Sequence, residues 1–179
     1  KMEDVFDIFG TVTLSRTESR EQLSVLYEAA RVVASGKNLQ NIFDDILKLL
    51  IQQFMLDFCI IRIFDEQKGS LIVRSQIGMS MEHLMTSERD INHRTYVTEA
   101  FQDNTVIVIN DTDIIHNPDS VRIVQQEGIK SFAHTPIVIE GKPIGVLSAL
   151  SRSIKGIFTE EFVEFFKSLA GQVGVAWRS

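Results

Sequence analysis

Residues 131–150, SFAHTPIVIEGKPIGVLSAL, hold two apolar runs on either side of Glu140-Gly141. Apolar runs broken by one polar residue and a glycine predict a hairpin, with Gly141 in its turn. Pro136 has no N–H to give a sheet ladder, so an irregularity is expected beside it. His134 falls inside the first strand and alternates with Phe132 and Pro136. The two-residue period of a strand puts Ser148 and Leu150 on that same face across the hairpin.

Outward from the hairpin, Phe58-Cys59-Ile60-Ile61-Arg62-Ile63-Phe64 is apolar at both phases of the strand period, as suits the middle of a covered sheet. Asp65 to Gly69 supplies a turn and Leu71 to Ile77 returns as a second strand. Val106 to Ile109 forms a short strand ended by Asn110-Asp111. Met79 to Asp90, polar and rich in methionine, reads as a loop with a short helix over the sheet.

Leu23, Leu26, Tyr27, Ala30 and Val33 keep helical spacing, and Gly36 closes that helix. Asn38 or Asn41 caps a second helix carrying Ile42, Ile46, Leu49, Leu50 and Phe54. His93 to Gln102 is helical through Tyr96, Val97, Ala100 and Phe101. Asn117-Pro118 opens a further helix that stops at Gly128. Thr159, followed by Glu160 and Glu161, caps a long last helix with Phe162, Phe165, Phe166, Leu169, Val173 and Trp177 on one face. Strands linked by hairpins, with helices before, between and after them, predict an α+β fold: a central antiparallel sheet with helices on at least one face. Residues 1–20 lack a period and read as a linker or helical extension, which leaves 21–179 as the domain.

The chain has 179 residues, 44% hydrophobic and 23% charged, enough for one core without staples. A net charge of −6 with scattered lysines and arginines argues against nucleic acid or an anionic membrane as partner. The single cysteine, Cys59, makes no internal disulfide and completes no zinc site, which fits a reducing, cytoplasmic compartment. The acidic N-terminus is no signal peptide, and no run approaches the roughly 18 apolar residues of a membrane span. The chain ends at Ser179 close behind an uncapped apolar face, so it reads as part of a longer protein.

Sites of chemistry are few. Neither GxGxxG nor GxxxxGK[ST] occurs, nor HExxH, CxxC or GxSxG. His83, His93, His116 and His134 share no metal-ligand spacing. Asp111-Thr112-Asp113 lacks the glycine and distal glutamate of a calcium loop and reads as a turn. No catalytic or metal-binding residue is therefore assigned. His134 has three readings: a buried imidazole satisfied by a neighbouring hydroxyl or carbonyl, a ligand contact, or a haem ligand. Arg62 and Arg74 interrupt apolar strands; each binds an anion or runs to solvent along the sheet edge.

Several elements together resemble the GAF domain family of sensory and regulatory modules. They are Thr135-Pro136-Ile137 leading into Glu140-Gly141-Lys142, then Ile144-Gly145-Val146-Leu147, then Ile157-Phe158-Thr159-Glu160-Glu161. Thr98 to Asn104 followed by Val106 to Asp111 is similar to that family's helix-then-strand element. The resemblance spans residues 21 to 177. It implies terminal helices on one face of the sheet and a small-molecule pocket under connecting segments on the other. It further implies a homodimer through the terminal helices and a kinase, cyclase or phosphodiesterase output in a bacterial signalling protein. On that pattern Phe132, His134, Ser148, Leu150, Tyr96, His93 and Arg62 are the candidate ligand-binding residues. The ligand itself is unknown.

The departures narrow the ligand. Phe162 and Val163 replace the acidic pair that cyclic-nucleotide-binding members carry after a phenylalanine matched by Phe158, and Ser131, Ser151 and Arg152 stand where their asparagine and lysine are sought. Bilin binding needs a cysteine on the pocket rim, and Cys59 lies within a strand. Methionine sulfoxide reduction needs several thiols. Asn92-His93-Arg94 replaces the usual glycines before the middle helix. The rival implication is a module of the same fold whose pocket is filled by its own side chains and which only dimerises.

Overall fold

Strand parity sorts the molecule into two faces. The computed structural model describes residues 20–179, so all but the last residue of the linker or extension expected over 1–20 lies outside them. Residues 20–33 are helical (α1), followed by α2 (Leu39–Gln53). The strands are β1 (Phe58–Asp65), β2 (Ser70–Ile77), β3 (Arg89–Asp90), β4 (Ile107–Ile109), β5 (Ser131–Ile139) and β6 (Lys142–Ser151). They form one sheet in the order β3-β2-β1-β6-β5-β4, with every neighbouring pair antiparallel. Helices α3 (Met81–Met85), α4 (Tyr96–Gln102) and α5 (Pro118–Glu127) lie in the connections, and α6 (Glu160–Arg178) closes the fold. This is the α+β architecture that the hairpin and helix signals predict.

β1 runs through the centre, and both phases of its apolar run are covered. Cys59, Ile61 and Ile63 join Ala133, Ile137, Leu147 and Ala149 of β5 and β6 on one face. Against them pack Ile46, Leu47 and Leu50 of α2, Phe166, Leu169 and Val173 of α6, and Val25 and Ala29 of α1. The opposite phase, Phe58 and Ile60 with Phe132 and Leu150, belongs to a separate, smaller cluster beneath α5.

The 131–150 hairpin turns through Glu140 (φ 50) and Gly141 (φ 80), the two consecutive left-handed residues of a type I′ turn. Gly145 permits close strand approach: a Cβ there would lie 2.2 Å from the Arg62 carbonyl oxygen. The irregularity expected at Pro136 falls one step later, as a register shift between Ile137 and Val138. β4 pairs with β5 only from Phe132 to His134, so Pro136 has a neighbouring strand on one side alone.

Caps set the helix starts. Asn38 rather than Asn41 caps α2, its side chain accepting from the Asn41 N–H at 2.9 Å. Thr159 caps α6 by accepting from Phe162 N–H. The middle helix begins at Tyr96, not at His93 as its pattern suggests. Thr95 and Thr98 form a reciprocal capping box there, which leaves His93 ahead of the helix. Residues 79–90 hold the expected short helix, α3 capped by Ser80, and also β3, which the sequence does not announce.

Candidate functional site

On the face away from α2 and α6, the sheet and helices α3, α4 and α5 enclose a cavity of about 80 Å³. Ile60 and Arg62 of β1, Phe132 and His134 of β5 and Leu150 of β6 form its floor. Tyr96 and Val97 of α4 and Ile123 and Val124 of α5 wall it, with His83 and Arg89 beside them. Strand alternation explains the floor, because these five residues share one parity in their strands. Register then brings them together: Phe132 lies opposite Leu150, His134 opposite Ser148, and Ser148 opposite Ile60.

Arg62 carries the main electrostatic feature. Its side chain is 1% exposed, although an arginine in a strand usually runs to solvent. Nε donates to the Ser87 carbonyl at 3.0 Å, and Nη1 donates to Ser148 Oγ at 3.4 Å. Neither partner is charged. Burying a guanidinium without a counter-ion costs several kcal/mol. Burial, then the nearby Arg89 charge, hold the Arg62 pKa well below its usual value. Arg74, the other interrupting arginine, lies 5.2 Å over the Trp177 ring instead.

His134 is buried, with Nδ1 2.6 Å from Ser148 Oγ. Burial, reinforced by the Arg62 and Arg89 charges, pushes its pKa well down, so the ring is neutral. Because Arg62 already donates to Ser148 Oγ, the satisfying assignment has the hydroxyl donating to Nδ1 and the ring proton on Nε2. The Ser148–His134 contact is the buried imidazole satisfied by a neighbouring hydroxyl, the first of the three readings of His134, and register across the hairpin supplies the hydroxyl. The hydroxyl is fully buried and is not among the cavity-lining residues, and among the described residues no carboxylate bonds to the ring. A basic nucleophile pair needs the opposite environment.

A second buried polar group borders the cavity. His83 Nδ1 lies 3.2 Å from Glu127 Oε1 but out of line for a hydrogen bond. Ser80 Oγ donates to the same carboxylate oxygen at 2.9 Å. Burial lowers the His83 pKa against the opposing pull of Glu127. Arg152 donates from Nε to the Glu127 carbonyl and lies 4.2 Å over the Phe58 ring.

Of the seven residues singled out from sequence, Phe132, His134, Leu150, Tyr96 and Arg62 line the cavity together. Ser148 sits behind them as the hydroxyl joining Arg62 to His134. His93 stands outside, 63% exposed, with Nε2 3.4 Å from Asp119 at the cavity mouth. His83 and Arg89 line the cavity but come from the one segment whose pattern was unreadable. Asp111 caps a 3₁₀ turn at Thr112–Ile114 and pairs with Lys155, as a plain turn would. No group of three or more metal-ligating side chains occurs among the described residues. Cys59 is fully buried, and burial pushes its thiol pKa far up. No helix among the described residues is long and apolar enough to cross a membrane.

No curated protein sequence matches the chain. Among solved structures, the GAF domain region of a membrane protein from Geobacter sulfurreducens PCA is 42% identical, with a TM-score of 0.72 over 78% of this chain and 93% of that one. The GAF domain of an Acinetobacter phosphoenolpyruvate-protein phosphotransferase shares the fold at 19% identity, with a TM-score of 0.73 over 88% of this chain and 93% of that one. Free methionine-R-sulfoxide reductase from Neisseria meningitidis does so at 20% identity, with a TM-score of 0.74 over 88% of each chain. The sequence matches the GAF domain family across residues 38–177. The chain therefore belongs to the GAF domain family, a sensory and regulatory fold of signalling proteins.

Proposed function

We propose that this chain is a non-catalytic regulatory domain that binds a small molecule in the cavity between the sheet and helices α3 to α5. The carrying observation is a cavity floored by buried polar groups, Arg62 and His134, whose hydrogen-bonding capacity the surrounding protein leaves partly unused. A face meant only for packing is filled with apolar side chains, as the opposite face is. Against catalysis stand the inaccessible Ser148 hydroxyl and the single buried thiol, which cannot both attack and resolve a sulfoxide.

Occupancy passes through the terminal helices of a homodimer to an output domain, a kinase, cyclase or phosphodiesterase, in a cytoplasmic bacterial signalling protein. α1 buries Val25 and Ala29 against the core yet exposes Leu23 (65%) and Tyr27 (67%) one turn apart. An exposed apolar pair on a helix beside the domain core supports a second copy packing there. Residues 21–179 make up the domain on this reading.

A metabolite-library thermal shift tests the pocket. A ligand at 100 times its dissociation constant stabilises the native state by about 2.7 kcal/mol, which raises Tm by roughly 5–10 °C in a domain of this size. Uniformly flat shifts would instead support the dimerisation module with a self-filled pocket, a reading favoured by the bulk of Phe132 and Leu150 on the cavity floor.

A further inference from the structure

We propose that the cavity takes a small monocarboxylate, its carboxylate held by Arg62 and Arg89 and its short apolar chain lying against Ile60, Phe132 and Leu150. This rests on the reading of the cavity as a ligand pocket and specifies the ligand's chemistry. Arg62 uses Nε and Nη1 on neutral acceptors, and its Nη2 donates to no described residue. Arg89, from the edge strand β3, lines the same cavity and donates Nη1 only to the Thr86 and Glu88 carbonyls, at 2.7 and 3.2 Å. No carboxylate lies within 4.0 Å of either guanidinium among the described residues. Two like charges thus share a largely apolar chamber without a counter-ion.

The missing partner is an anion, and its class follows from the rest of the lining. A cation would add to the repulsion, and a neutral molecule would leave both charges uncompensated. Phosphate or sulfate brings further oxygens that need donors; besides His134 and His83 the lining offers only the hydroxyl-bearing Thr95, Tyr96 and Ser120, and the floor beside Arg62 is the apolar Ile60, Phe132 and Leu150. A carboxylate presents two oxygens that match the guanidinium fork. Its tail then meets Ile60, Phe132 and Leu150. The one acidic side chain at the rim, Asp119, is turned to His93 and to Arg122 at 3.4 and 3.7 Å. A volume of about 80 Å³ accommodates roughly five to eight non-hydrogen atoms, at about 10–15 Å³ for each water-sized group.

The test titrates the domain with sodium butyrate, with butyramide as the uncharged analogue of equal shape, and with sodium chloride at matched ionic strength. The readouts are the Ile60 and Leu150 methyl and Arg62 Nε–H NMR signals, together with thermal unfolding. Butyrate is expected to shift the pocket signals saturably and, at ten times its dissociation constant, to lower the unfolding constant about elevenfold. Butyramide and chloride should leave both unchanged. Arg62→Met and Arg89→Met, each confirmed folded by its spectrum, should weaken butyrate at least tenfold; if Arg62→Met does not fold, Arg89→Met carries the comparison. Butyramide binding as well as butyrate, or full butyrate affinity in the folded variants, would overturn the carboxylate assignment while leaving the pocket itself intact. No saturable butyrate shift would overturn it too, and the metabolite library on the same samples would then decide the pocket reading separately.

Discussion

The two faces of this sheet are built from alternate residues of the same strands, yet they obey different rules. Toward α2 and α6, Cys59, Ile61, Ile137 and Leu147 meet Leu47, Leu50, Phe166 and Val173 in one apolar cluster. Toward α3, α4 and α5, the neighbouring positions present Arg62, His134 and Ser148, and the apolar residues divide into two small groups around a cavity. The first arrangement maximises burial of apolar surface, the main source of stability. The second holds a charge and two neutral imidazoles out of water, which lowers stability in exchange for chemical specificity. One sheet thus separates a face that holds the fold from a polar face around a cavity, to which the proposed function assigns the ligand.

The largest expected effect lies on the packed face. Phe166→Ala removes a fully buried ring and should destabilise by about 3–5 kcal/mol in urea unfolding, without altering the pocket signals. A loss under about 1 kcal/mol would mean that this face does not carry the stability assigned to it.

On the pocket face, Ser148→Ala deletes the hydroxyl shared by Arg62 and His134. It should cost about 1–3 kcal/mol, because two buried polar groups each lose a partner. An unchanged midpoint would show that the hydroxyl link is dispensable.

Acid sharpens the contrast further. The folded-state pKa of His134, and less strongly that of His83, is lowered, so the unfolded chain binds more protons once pH falls below about 6.5. Stability from these groups is complete above that value and declines as pH drops toward the folded pKa. Each histidine contributes a slope of up to about 1.4 kcal/mol per pH unit. Chemical denaturation between pH 7.5 and 5.5 should show the decline, and His134→Gln should flatten it. A variant as acid-sensitive as the parent would remove His134 from this role.

The smallest stability effect belongs to the outer side of α1. Leu23→Glu with Tyr27→Glu should change the stability of the monomer by no more than about 0.5 kcal/mol, since both side chains are exposed in the single chain. Sedimentation should nonetheless show a dimer converted to monomer. A parent chain that is monomeric at every concentration would contradict the proposed dimer outright.

The packed face was largely legible in the sequence. Its strands and helices follow from short-range rules: the continuous apolar run of β1, the turn at Glu140-Gly141, the cap at Thr159 and the periodic face from Phe162 to Trp177. Four cavity residues were legible for the same reason, because parity across the hairpin groups Phe132, His134 and Leu150, and β1 adds Arg62; a fifth, Tyr96, followed from the helix that the family resemblance sets against the pocket. The rest depends on contacts between distant segments. Residues 79–90 carry no period, and their fold is fixed by the Arg62 bond to the Ser87 carbonyl and the Ser80 bond to Glu127. Hence β3, Arg89 and the His83–Glu127 contact had no local signature. His93 was misplaced by a local rule that only the structure shows, the Thr95–Thr98 capping box.

The division between the two faces is tested most directly by native-state amide hydrogen exchange, resolved residue by residue. The account predicts that amides of β1, β5, β6, α2 and α6 exchange only through global unfolding, whereas α3, α4 and α5 open at clearly lower free energy. Equal protection on both faces, or faster exchange from α2 and α6 than from α4 and α5, would contradict it.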